Sequence, residues 1–225
     1  MRQESLLTLK NSYETARMYF IMLHLGNFYS QFSRHTDLSL GVKTLPILAD
    51  IENPENGYHL DNGLISNLLR DIYINYQKID TFSHLILVNS IRGVTMSIVE
   101  ALKEKEIKDL FVKTFFYENQ DKFSDFHKIV KFIRNILSHN IRDRMEIKKE
   151  DITYKGIAIF QYSYADFPVS LPILYQIDIK VDFDKLQDGD TYSDVISDYQ
   201  TLLFIEFVHN CLSFLKNQLQ ISSPF

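Results

Sequence analysis

The sequence predicts a mainly α-helical protein: an antiparallel helical bundle with a β-hairpin inserted at about residues 152–184, before the last helix. Three observations predict it. Most of the chain carries apolar residues at the 3.6-residue helical spacing, over long stretches with few Gly or Pro. One stretch, Tyr175 to Phe183, switches to strict alternation, the period of a half-buried strand. The last periodic stretch is too apolar to stand alone and must return to the helical body, so residues 1–225 read as a single domain.

Composition supports this class. The chain has 225 residues, 45% of them hydrophobic and 24% charged, which is enough apolar surface for a core and excludes disorder by composition. Seventeen Phe and thirteen Tyr, with no Trp, predict an aromatic core. The net charge of −5 excludes wholesale coating of nucleic acid but leaves room for a local basic patch. The single cysteine, Cys211, excludes an intrachain disulfide and suits a reducing compartment. The opening MRQESLLTLKNSYETAR is charged too often for a secretory apolar segment. The most apolar late stretch, Leu202 to Leu215, is interrupted by Glu206, His209 and Asn210, too polar and too short for a membrane span. A soluble, cytoplasmic protein is expected, with no membrane partner.

The elements follow in order. Gln3 to about Ser33 reads as one long helix through Leu6, Leu9, Tyr13, Ala16, Phe20 and Leu23, with Gly26 as a weak point. Arg34 to His59 holds Gly41, Pro46, Pro54 and Gly57 and reads as a long connection, with at most a short helical turn near Leu45 to Ile51. Asp61 caps a helix from about Asn62 to Gln77. Thr81 or Ser83 caps another that reaches about Lys105, unless the two are one kinked helix. Glu106 to Tyr117 is helical, and Ser124 or Asp121 opens the next helix. In that helix Phe126, Ile129, Val130, Ile133, Ile136 and Leu137 keep the i, i+3, i+4, i+7 pattern. Tyr154 to Tyr164 and Tyr175 to Phe183 form the hairpin, joined through a loop with Pro168 and Pro172. Ile177, Ile179, Val181 and Phe183 share its inner face, with Asp178, Lys180 and Asp182 outside. Thr191 or Ser193 caps the final helix, which runs to about Leu219.

The chemistry-bearing stretch is Phe126 to Arg144, FHKIVKFIRNILSHNIRDR. It ends in Arg134, Asn135, Ser138, His139 and Asn140, a polar and cationic cluster where a helix end needs only a cap. Arg134-Asn135-Ile136-Leu137-Ser138-His139 resembles the R-x4–6-H motif of the HEPN superfamily, in which a polar residue commonly follows the arginine. The spacing alone is weak, because Arg17 to His24 also fits it. That arginine is followed by Met18 and lies inside a helix that continues past it. Asn135, Ser138 and the helix end set the later stretch apart. The resemblance implies an all-helical bundle, often a homodimer whose two motifs form a composite site. It implies metal-independent ribonuclease activity of the kind found in toxin–antitoxin, abortive-infection and CRISPR-linked systems. Other members keep the fold and lack activity, so a non-catalytic bundle that binds a partner protein or RNA is the alternative.

The residue types suit RNA cleavage without metal. That reaction needs a base for the 2′-hydroxyl, an acid for the leaving 5′-oxygen and a cation for the phosphorane. His139 titrates near neutrality and serves as base or acid. Arg134 stays cationic and grips two phosphate oxygens. Asn135 shares a helix face with His139, at i, i+4, and orients it or donates to phosphate. Arg134 projects about 100° from Asn135 on an ideal helix, so the two flank one cleft only at a helix end or across a partner copy. Lys131, Ser138, Asn140, Arg142 and Arg144 are the RNA-binding candidates. A solvated helix end with cations against the helix dipole explains the same charges equally well. The expected partners are RNA, a second copy of the chain and an antitoxin protein.

Other candidates are weaker. Glu206, His209 and Asn210 read as polar residues at a bundle edge, His84 and His127 as boundary residues, Cys211 as a small buried apolar residue, and Tyr154 as hairpin packing. Asp188-Gly189-Asp190 with Asp194 resembles a calcium loop, but its sixth position is Ser193 and no Glu closes it. No H-E-x-x-H, Cys pair, Walker A loop, G-x-G-x-x-G or G-x-S-x-G is present, and no metal or cofactor is expected.

Overall fold

A computed structural model of the chain describes residues 1–35, 51–53, 58–60, 76–139, 145–169 and 176–219, with side chains for 1–23, 85–138, 145–169 and 176–219. The elements are α1 (Gln3–His35), β1 (Ile51–Asn53), β2 (Tyr58–Leu60), α2 (Tyr76–Ala101), α3 (Lys105–Phe116), α4 (Gln120–His139), β3 (Ile157–Ser163), β4 (Gln176–Asp182), α5 (Tyr192–Val195) and α6 (Asp198–Gln218). The fold is mainly helical, with a two-stranded antiparallel sheet, β3 and β4, ahead of the last helix. The chain divides into two compact units, Met1–Met22 with Val88–Phe225, and Leu23–Leu87.

In the smaller unit β1 pairs antiparallel with β2, Ile51 opposite Leu60. The sequence predicts here only a long connection with at most a short helical turn near Leu45 to Ile51, because three-residue strands offer too few alternations to detect. The expected helix over 62–77 falls mostly on residues outside the described ones. Of the two expectations for the next stretch, a fresh cap at Thr81 or Ser83 does not stand, since α2 runs unbroken from Tyr76 through both; the alternative of one continuing helix agrees with it over Tyr76–Ala101.

The larger unit is built around α4. Its apolar positions Phe126, Ile129, Val130, Phe132, Ile133, Ile136 and Leu137 are at most 1% exposed, an arc wide enough for cover on more than one side. Phe126 sits among the rings of Phe111, Phe116, Phe160, Phe204 and Phe207, with centroids 5.3–6.0 Å away, within the range of favourable aromatic pairs. These rings come from α3, β3 and α6, so one side chain ties three elements to α4. β3 buries Ala158, Phe160 and Tyr162, with Phe160 against Phe126 of α4, and β4 buries Ile177, Ile179 and Val181. Register runs from Ile157 opposite Asp182 to Ser163 opposite Gln176. Asp125 of α4 also accepts the Ile159 amide of β3 at 3.0 Å, fixing the strand along the helix.

Two further helix starts differ from those the sequence predicts. Asn119, not Asp121 or Ser124, opens α4, its Oδ1 accepting the Lys122 amide at 3.0 Å. The turn before it places Tyr117 and Glu118 both in the left-handed region, at φ 50° and 64°, where sequence gives no glycine to announce it. Thr191 opens only the four-residue α5, and Ser197 caps α6, accepting the Gln200 amide at 3.3 Å. Elsewhere α2 approaches α1 so closely that a methyl at Gly93 would collide with the Tyr19 ring.

Segment 145–147 pairs with 189–192: Ile147 donates to the Asp190 carbonyl and Tyr192 to the Met145 carbonyl, both at 2.8 Å. The carboxylates weighed as calcium ligands are used here on backbone amides. Asp188 accepts from Lys149 at 2.9 Å and Asp190 from Gln187 at 2.8 Å. Among the described residues no group of three or more His, Cys, Asp or Glu is placed to hold a metal ion, and no single helix is long and apolar enough to cross a membrane.

Candidate functional site

Because its apolar arc is so wide, α4 leaves only a narrow outward stripe. His127, Lys128, Lys131, Arg134, Asn135 and Ser138 lie on it, each half-buried. The helix runs to His139, so Arg134 through His139 are its last six residues. The His139 side chain and residues 140–144, with Asn140, Arg142 and Arg144, lie outside the described ones.

Arg134 and Asn135 are brought together directly. The guanidinium Nη2 and Nε donate to Asn135 Oδ1 at 2.7 and 3.2 Å. An ideal helix would have splayed them about 100° apart. The long arginine stem closes that gap by folding across its neighbour. The bond leaves the remaining guanidinium hydrogens and the Asn135 amide hydrogens as donors. Ser138 turns its hydroxyl back onto the Arg134 carbonyl at 2.8 Å, so its proton is spent on the helix itself.

The charges along the stripe are paired unequally. Lys128 is held by Asp125 at 3.1 Å. Among the described residues no carboxylate pairs with Lys131 or Arg134. Nor does one pair with Lys108 of α3, whose ammonium lies 5.3 Å from the centre of the Phe123 ring. Phe123 in turn stacks on His127 at 5.7 Å and 13°. Burial first, then the charges of Lys131, Lys108 and Arg134, push the His127 imidazole down to about 4. His127 is therefore a neutral imidazole in a cationic setting at physiological pH, a placement the sequence reading missed. The signal was present: Phe123 and His127 are i, i+4 on the helix.

Tyr154 flanks the same region. It packs on Phe183 at 5.6 Å, the hairpin packing expected of it, and burial pushes its phenol up against the opposing charges of Arg134 and Lys128. Its hydroxyl has no hydrogen-bond partner among the described residues.

His209 stacks on Phe20 at 4.2 Å and 7°, at the edge of the bundle. Cys211 is fully buried and burial pushes its thiol up, which disarms it as a nucleophile. A cleft of about 210 Å³ opens between the end of α3 and β3, lined by Phe115, Phe116, Tyr117, Lys122, Gln161 and Tyr162. It is smaller than the roughly 300–1,000 Å³ of ligand pockets. It also lies at the opposite end of α4 from Arg134, some 20 Å along the helix axis. Comparison with family models, curated proteins and solved structures gave no match.

Proposed function

We propose that the chain is a metal-independent RNA endonuclease of HEPN type, acting in the cytoplasm in a toxin–antitoxin or anti-phage role. The observation that carries this reading is the Arg134–Asn135 pair on a half-buried cationic stripe of α4, the helix whose last residue is His139. The bond to Asn135 limits the rotamers of Arg134 and so holds a cation ready for a phosphate. Arg134 stabilises the phosphorane, His139 moves the proton, and Asn135 positions Arg134 or donates to a phosphate oxygen. Lys131, Ser138, Asn140, Arg142 and Arg144 line the RNA path. One chain brings one motif histidine, so base and acid come from two copies across a dimer axis. The product is a 2′,3′-cyclic phosphate and no cofactor takes part. The test is cleavage of RNA by purified protein in EDTA, wild type beside His139→Ala and Arg134→Ala. Loss of cleavage in both variants, with a dimer in solution, is expected. Equal cleavage by the variants refutes the assignment.

One observation favours a second reading, a non-catalytic HEPN-like bundle that binds RNA or a partner protein such as an antitoxin. The Arg134 guanidinium and the Ser138 hydroxyl both have partners within the helix, as in a structural polar cluster. That reading predicts binding without turnover, unchanged by His139→Ala.

A further inference from the structure

We infer that the path for the RNA sugar–phosphate backbone does not stop at Arg134 but runs back along α4, past Lys131 and His127, to Lys108 on α3, and that it takes a single strand. The inference rests on the nuclease reading only in taking RNA as the ligand. Positions 127, 131, 134 and 138 follow at i, i+4, i+7 and i+11, which lines them along one helical face. From Phe123 to His139 that face is about 24 Å long. Lys108 joins it at the far end, over Phe123 and so beside His127.

Three features point to an anion. Lys108, Lys131 and Arg134 are without a carboxylate among the described residues, although the chain carries 29 acidic residues against 24 basic ones. Lys128 on the same stripe is paired, with Asp125 at 3.1 Å. Asp125, on the same helix, is spent on Lys128 and on the Ile159 amide. Like charges gathered in a half-buried stripe repel one another, and a polyanion relieves that repulsion. Polar groups also face the row unmatched: neither the His127 ring nitrogens nor the Tyr154 hydroxyl has a hydrogen-bond partner among the described residues. A row one helix face wide, half-buried from His127 to Arg134 and open at Lys108, fits one phosphate strand. A duplex presents two strands and needs a second row.

The probe is a fluorescein-labelled 12-nucleotide oligouridine with 2′-O-methyl riboses, which binds as RNA but has no free 2′-hydroxyl to attack. Anisotropy titrations over a KCl series give log K against log salt. Each phosphate contact on a single strand contributes about −0.7 to that slope. Lys108→Ala and Lys131→Ala should each flatten it by about 0.7, and the double variant by about 1.4. Lys185→Ala, at an exposed lysine paired with Asp182, should leave it unchanged. Lys108 is exposed and Lys131 half-buried outside the apolar core, so the variants should fold, and circular dichroism checks this. Failure of the wild type to bind the probe overturns the inference, as does a double variant with the wild-type slope. The two readings fail separately. Binding through Lys108 and Lys131 with no RNA cleavage keeps the tract and removes the nuclease. His139-dependent cleavage with a slope that ignores both lysines does the reverse.

Discussion

Acid should destabilise this protein through His127, and the size of the effect follows from where the ring sits. In the unfolded chain an imidazole takes up its proton near 6.5. In the folded chain burial against Phe123, with Lys131, Lys108 and Arg134 around it, holds the value at about 4. Between these pH values the unfolded state binds more protons than the folded one, so stability falls as pH falls. The contribution is fully present above 6.5 and is lost by the time pH has dropped through about 4. At 1.36 kcal/mol per pH unit the gap is worth roughly 3 kcal/mol. The ring is only half-buried and solvent screens the neighbouring charges, so about 1.5–2 kcal/mol is the figure to test. The assay is urea unfolding at pH 7, 5.5 and 4 for wild type and His127→Gln, a neutral polar replacement. Carboxylates elsewhere titrate alike in both proteins and cancel in the difference. The stability of wild type relative to the variant should fall by about 1.5–2 kcal/mol from pH 7 to 4. A difference that stays constant with pH, or that grows in favour of wild type in acid, refutes the placement of His127 among those cations.

Two further changes probe the framework that carries the stripe. Phe126→Ala removes the ring shared by α3, β3 and α6 and should cost about 3–5 kcal/mol in urea unfolding; a loss below 1 kcal/mol would show that the aromatic cluster does not depend on it. Gly93→Ala should destabilise by about 1–2 kcal/mol despite alanine's better helix propensity, because the new methyl meets the Tyr19 ring; a stabilised variant would mean that α1 and α2 are not in close approach at that point.

Legibility from sequence followed the length and regularity of each pattern. The apolar arc of α4 was readable because it repeats over several turns: Phe126, Ile129, Val130, Ile133, Ile136 and Leu137 are all buried as expected. The inner face of the hairpin was readable because alternation persists over Ile177, Ile179, Val181 and Phe183. Features that depend on one or two residues were not. The left-handed Tyr117–Glu118 turn has no glycine, and so the cap moved from the expected Asp121 or Ser124 to Asn119. Ser197 looked like an interior residue of one helix because the break between α5 and α6 carries neither Gly nor Pro. In the candidate site the motif residues were visible as letters, while their partners were not. Spacing states that Arg134 and Asn135 diverge, and only the reach of the arginine stem brings them into contact.

That difference bears on where new chemistry should be sought in such a helix. An apolar arc as wide as that of α4 forces every polar residue onto one thin line, so charges several turns apart become neighbours in function. Asp125 shows the consequence at one end, where a carboxylate holds both Lys128 and a strand amide. Lys131 and Arg134 show it further along, where no carboxylate among the described residues follows them. A helix meant only to pack would place acids at i+4 to these cations, since such pairs stabilise a helix by about 0.3–0.5 kcal/mol. Instead the positions four residues after Lys131 and Arg134 are Asn135 and Ser138. Substituting acids there, as Asn135→Asp and Ser138→Glu, would supply the pairs that the sequence withholds. If the stripe exists for packing alone, the double variant gains the new pairs and loses only the Ser138 bond to the Arg134 carbonyl. If it exists to meet an anion, the gain comes with loss of binding to the oligouridine probe. Because the Arg134 guanidinium already rests on Asn135, its response to Asn135→Asp alone separates a charge effect from a broken contact.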